Sequence, residues 1–155
     1  MVRSYRLIGY ENRDVADEDF RNDDLDAGEI GLGHSVTALY EIKFWEGAST
    51  TDPALVVYVR YENPDSGETL EINRSTHWAE FAGSFEEASL RFQLTAVVAE
   101  YAEVLRHSYW AKESSLDAVL AQARRVAGYL PDDDDVAEFL GLVERASALA
   151  ALLMN

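Results

Sequence analysis

The apolar residues of this chain change their spacing once. Up to about residue 78 they alternate, and from residue 84 onward they recur every three or four positions. Alternation places every second side chain on one face of a strand, whereas three-four spacing lines one face of a helix. Neither pattern can adopt the other structure without turning half of its apolar set to water. Strands followed by helices make an α+β chain, not an alternating β/α one.

Four segments carry the strand pattern: residues 4–11 (SYRLIGYE), 35–45 (SVTALYEIKFW), 54–62 (ALVVYVRYE) and 69–76 (TLEINRST). Between the last two lies NPDSGE, whose Pro64 and Gly67 mark a hairpin turn. No join contains a crossover helix, so the sheet is expected to be antiparallel. In the second half, SFEE at 84–87 fits a capping box, while Ser89 and Leu90 offer a later helix start. The first helix then carries Phe85, Ala88, Phe92, Thr95, Val98, Tyr101, Ala102 and Leu105 as its stripe. A second helix at 114–128 presents Leu116, Val119, Leu120, Ala123 and Val126 and ends at Gly128. A third spans 132–152, its leading aspartates lying where the helix dipole favours negative charge. The expected fold is therefore an antiparallel sheet or partial β-sandwich in the N-terminal half, backed by three C-terminal helices. Its 155 residues suit one domain, mainly strands over 1–78 and mainly helices over 84–153. An opening directly on a strand-like segment fits a fragment of a longer chain.

The net charge of -16 makes nucleic acid and anionic membranes poor partners, and the 13 basic residues form no cluster to offset it. No apolar run is long enough for a membrane-spanning helix, and no targeting segment follows Met1. The chain has no cysteine, hence neither disulfide nor thiolate metal site.

Charge is densest between Glu11 and Glu29, where nine carboxylates fall in one loop. A helix–loop–helix calcium site wants oxygen ligands at positions 1, 3, 5 and 12 with glycine at 6. Counting from Asn22 puts Ala27 at the glycine position and Gly33 at the last ligand. Counting from Asp17 puts Arg21 at the fifth. Two readings stand. In one, Asp23, Asp24, Asp26 and Glu29 form an irregular calcium site and the loop is a calcium-binding interaction module. In the other, short acidic side chains cap backbone amides and pair with Arg13 or Arg21, while the remainder stay in water. The expectation is the second, with a loop shaped without calcium and no cofactor or metal.

Gly31 and Gly33 precede a strand and do not open a helix, so GEIGLGHS at 28–35 is no dinucleotide fingerprint, and no Lys–Ser/Thr pair closes a phosphate loop. His34, His77 and His107 have no metal-ligand spacing among themselves. Ser35 beside His34 lacks the GxSxG of a nucleophile elbow. No catalytic residue emerges, and the chain is expected not to be an enzyme. A hydrolase-type site would need His77 or His107 brought to a carboxylate by the fold. Trp78, Phe81, Phe85, Phe92, Tyr109 and Trp110 are expected to pack between layers, with an exposed docking patch as the alternative. NRS at 73–75 matches a glycosylation acceptor, a short pattern inside a strand.

YRLIGYENR (5–13), ADEDFRNDDLDAGEIGLGHSVTALYE (16–41), LRFQLTAVVAEYAEVLR (90–106), SLDAVLAQARRVAG (115–128) and AEFLGLVERASAL (137–149) together resemble the region C-terminal to the von Willebrand factor type A domain in a family of bacterial proteins. The resemblance covers nearly the whole chain. It implies an upstream, Rossmann-like type A domain with a DxSxS metal site that this chain does not contain. It also implies exported or cell-envelope proteins, and an accessory, non-catalytic region that supports the type A domain in binding a protein. DAGEIG at 26–31 looks like the family signature. Asp26, Gly28, Glu29, Gly31 and His34 are accordingly the candidates for contact with a neighbouring domain.

Overall fold

A computed structural model describes residues 2–9, 15–24, 28, 30–31, 33–47 and 53–153. Strands come first and helices after, as the change of period requires: β1 (Val2–Leu7), β2 (Tyr40–Phe44), β3 (Pro53–Glu62), β4 (Thr69–His77), α1 (Leu90–Leu105), α2 (Leu116–Ala127) and α3 (Asp134–Leu153). The chain divides into two compact units, Met1–Phe81 and Ala82–Asn155.

Among its described residues the first unit holds two antiparallel two-stranded sheets, β1–β2 and β3–β4. In the first, Arg6 faces Glu41 and Leu7 faces Tyr40, with a register irregularity between Val2 and Ser4. The 35–45 segment forms a shorter strand than its pattern predicts. Its pairing ends where Ile8 N–H donates to Leu39 O (2.8 Å), and Val36 lies exposed in irregular chain. An alternating pattern makes a strand only where a partner edge reaches it. The second sheet is the predicted hairpin. Asn63 N–H donates to Glu68 O (2.9 Å) and Gly67 N–H to Asn63 O (2.8 Å), while the Asn63 side chain accepts from Asp65 N–H (2.9 Å). Gly67 sits at φ +69°, a left-handed conformation that glycine adopts without steric cost. A 3-10 turn, Trp78–Glu80, follows β4. Trp78 and Phe81 pack on Phe44 of β2 with ring centroids 4.4 and 5.9 Å away, so aromatic packing ties the two sheets.

In the second unit Val97, Val119, Ala123 and Val143 form the core, ringed by Phe85, Tyr101, Val104, Leu120, Phe139 and Leu140. α2 and α3 run antiparallel, joined by Arg124–Glu144 (2.9 Å) and Ser147–Asp117 (2.9 Å). The α2 stripe is buried as its spacing predicts, at Val119, Ala123 and Val126. For α1 the expected stripe holds only in part: Phe85 and Tyr101 pack on the core, but Gln93, Val97 and Glu103 are the buried residues of the helix, whereas Phe92, Val98 and Leu105 are exposed. LRFQLTAVVAEYAEVL is apolar on more than one face, and its neighbours choose which one is covered. The helix also begins at the later of its two start signals. Ser84 Oγ does accept from Glu87 N–H (3.4 Å), but this closes an isolated turn, and Ser89 Oγ caps α1 through Phe92 N–H (3.2 Å). At α3 the aspartate run acts as the expected cap, Asp133 accepting from Val136 N–H (3.2 Å) and pairing with Arg91 (2.7 Å). Tyr109 and Trp110, expected inside, are exposed in the α1–α2 connection with their rings edge to face at 5.2 Å.

Candidate functional site

The acidic loop enters the described structure as a 3-10 turn, Asp17–Asp19, closed by Asp19 N–H to Ala16 O and Asn22 N–H to Asp19 O, both 2.9 Å. The Asn22 side chain then accepts from Asp24 N–H at 3.2 Å, a short-range turn of the kind Asn and Asp favour. These turns direct Arg21 and Asp23 toward the β3–β4 hairpin. Arg21 grips Glu71 of β4 through two bonds, Nε to Oε2 and Nη2 to Oε1, each 3.0 Å. Arg60 of β3 donates to Glu71 Oε2 at 3.3 Å and binds Asp23 with its other terminal nitrogen.

Alternation in β3 and β4 puts Tyr58, Arg60 and Glu71 on one face of the hairpin, since Arg60 and Glu71 stand directly opposite. Arg21 lies over the Tyr58 ring at 5.8 Å on that same face. The result is a chain of alternating charges, Arg21–Glu71–Arg60–Asp23, strapping the loop to one side of the hairpin. Its inner members are the better covered: the Arg60 and Glu71 side chains are 20% and 26% exposed. The hydrogen bond from Arg21, with Arg60 adding to it, holds the Glu71 carboxyl below its ordinary range. Glu71 in turn raises the Arg21 guanidinium above its own. Fork-to-fork pairing of this kind gives geometric specificity along with attraction.

Among the sequence-derived site residues, Asp23 is therefore engaged by Arg60, and Asp24 donates its backbone amide within the loop. Asp26, Glu29 and Arg13 lie outside the described residues. Gly28 is exposed. Gly31 and His34 form a turn, His34 N–H donating to Gly31 O (3.0 Å). A methyl group on Gly31 would lie 2.9 Å from His34 Nδ1, so the imidazole rests where a side chain would otherwise be. A guanidinium on Asp23 disfavours a divalent cation at the same carboxylate by like-charge repulsion. Among the described residues no group of three or more His, Asp or Glu side chains is gathered for a metal.

His77 ends β4, and its backbone amide donates to Glu80 Oε2 at 2.7 Å, while Arg74 approaches Glu80 Oε1 at 3.5 Å. That carboxylate is thereby occupied in capping the turn, and the amide of His77 with Arg74 lowers its pKa. His107 closes α1 with φ +53°. Arg60 and Glu71 escaped the sequence reading, yet folding the chain about the 63–68 turn puts them opposite one another. Arg21 docking there depends on the fold and has no local signature.

No helix among the described residues is long and apolar enough to cross a membrane. The family described as "Uncharacterized protein YfbK, C-terminal" matches residues 1–149. The chain is 30% identical over 166 aligned positions to "Uncharacterized protein YfbK" of Escherichia coli (strain K12), covering 96% of this chain and 28% of that protein. It thus spans little more than a quarter of that curated relative. No solved structure matches the chain. With a match running through both the strand and the helical halves, the chain belongs to the YfbK C-terminal family, the C-terminal region of a protein that contains a von Willebrand factor type A domain.

Proposed function

We propose that this region is a non-catalytic accessory domain that supports an upstream type A domain of the same polypeptide in binding another protein. The observation that carries the reading is the ionic strap. Asp23 and Glu71 are engaged by Arg60 and Arg21, so the loop's charge holds a shaped surface to the hairpin. Such a surface suits contact with a neighbour better than chelation or proton transfer. The family assignment adds that the related protein is much longer than the matched region. The turn at Gly31 and His34, with Gly28 beside it, belongs to the same connection and is the proposed contact. The protein carrying it acts, in this reading, at the bacterial cell envelope or outside the cell.

The test is calorimetric titration of this chain with its separately prepared type A domain, at low and at physiological salt. Binding that weakens when Arg21 and Arg60 are replaced by Gln supports the reading. Absence of binding in both conditions, with the full-length protein showing two independently tumbling parts, sinks it.

A further inference from the structure

The strap engages Arg60 and Glu71 on one face of the β3–β4 hairpin, and the opposite face is mainly apolar, with Arg74 standing across from Val57 at its far end. Register places Val57, Val59 and Tyr61 beside Leu70 and Ile72 on that opposite side. All five are exposed, Val57 by 50% and Ile72 by 56%. A two-stranded hairpin has little stability of its own and gains it by packing an apolar face on another layer. Neighbouring β-branched and aromatic side chains in a continuous row mark a contact surface, where scattered exposed apolar residues would not.

We propose that this face, Val57–Val59–Tyr61 with Leu70 and Ile72, is the docking surface for the type A domain that precedes this region in the full-length protein. The proposal rests on the accessory-domain reading above and adds a second contact with the same domain, on the hairpin face away from the strapped loop. Two observations select this occupant. The matched region is 28% of its E. coli relative and is that family's C-terminal part, so most of such a chain is tethered ahead of it. Tethering raises the effective concentration to about the millimolar range, enough for a modest apolar face to remain covered. A second copy of this chain is the poorer occupant, because two molecules each carrying -16 repel as they approach.

Hydrogen exchange of residues 55–61 and 70–74 would be compared between this 155-residue chain and the full-length protein. Protection about tenfold greater in the full-length protein is expected. In the titration with the separate type A domain, Val59→Lys and Ile72→Lys should each weaken binding about tenfold or more. Unchanged exchange in α1–α3 and in β1–β2 verifies that both variants fold. If the type A domain binds but neither lysine weakens it, the face is wrong while the accessory reading survives. If it does not bind and the hairpin gains no protection, both fail. A dimer of this chain by light scattering that Ile72→Lys dissolves would assign the face to a second copy. A hairpin equally protected in the isolated monomer would assign it to the chain's own helices; either result overturns the proposal.

Discussion

Gln93 is 1% exposed, and it is the side chain whose loss the helical unit should feel most. Its Nε2 donates to Glu86 O (3.1 Å) and Ala88 O (2.7 Å), and its Oε1 accepts from Arg125 Nη2 (2.7 Å). One amide thus satisfies the turn before α1 and anchors α2 to it. Gln93→Leu keeps the volume roughly but removes the donor to two carbonyls and the acceptor of Arg125 Nη2, whose Nε stays on Gln122, so it should cost about 2–3 kcal/mol in denaturant unfolding. A cost near zero would show that water takes over these bonds. In the loop, Asp23 is the residue that separates chelation from pairing. Calcium titration of the parent chain is expected to show no sub-millimolar binding, since Arg60 already holds that carboxylate. Tight binding abolished by Asp24→Asn and Asp26→Asn together would overturn that expectation.

At the scale of elements, the hairpin depends on its turn and on its charged face. Gly67→Ala forces a side chain into the left-handed region and should destabilise the hairpin by about 1–2 kcal/mol, read from exchange of the β3 and β4 amides. Glu71→Gln leaves Arg21 and Arg60 without their shared carboxylate and should loosen the same amides at neutral pH. The Glu71 pKa is lowered by folding, so its contribution is complete above the unfolded-state value of about 4.3. It is lost as pH falls through the lower folded value. The difference between Glu71→Gln and the parent should therefore be constant from pH 7 to about pH 5 and shrink toward zero below that window. A difference that persists undiminished at low pH would mean that the carboxylate acts by packing and not by charge. Asp133, lowered by Arg91 and by the Val136 amide, should behave alike at the start of α3.

Across the whole molecule, the two units differ in how much of their apolar surface they bury. Residues 82–155 enclose their own cluster around Val97, Val119, Ala123 and Val143, and should fold in isolation with cooperative loss of helical circular dichroism on heating. The strand unit has two small sheets and an apolar hairpin face left exposed. Residues 1–81 alone should show much weaker exchange protection than the helical segment. Equal protection in the two fragments would refute this ranking.

Element type was legible from the chain alone because period two and three-four spacing are local properties. So was the 63–68 turn, where Pro64, Gly67 and the Asn63 side chain each favour the same backbone path, and so was the aspartate cap of α3. With the turn placed, even the Arg60–Glu71 pair follows from counting outward along the strands. The burial of α1, the late start of β2 at Tyr40 and the exposure of Tyr109 and Trp110 did not follow. Each depends on which neighbour arrives, and an apolar residue is covered only where another surface meets it. Arg21 belongs to this second group. Fifty residues separate it from Glu71 in sequence, and no spacing rule spans that distance; only the folded chain brings the guanidinium to the carboxylate and closes the strap.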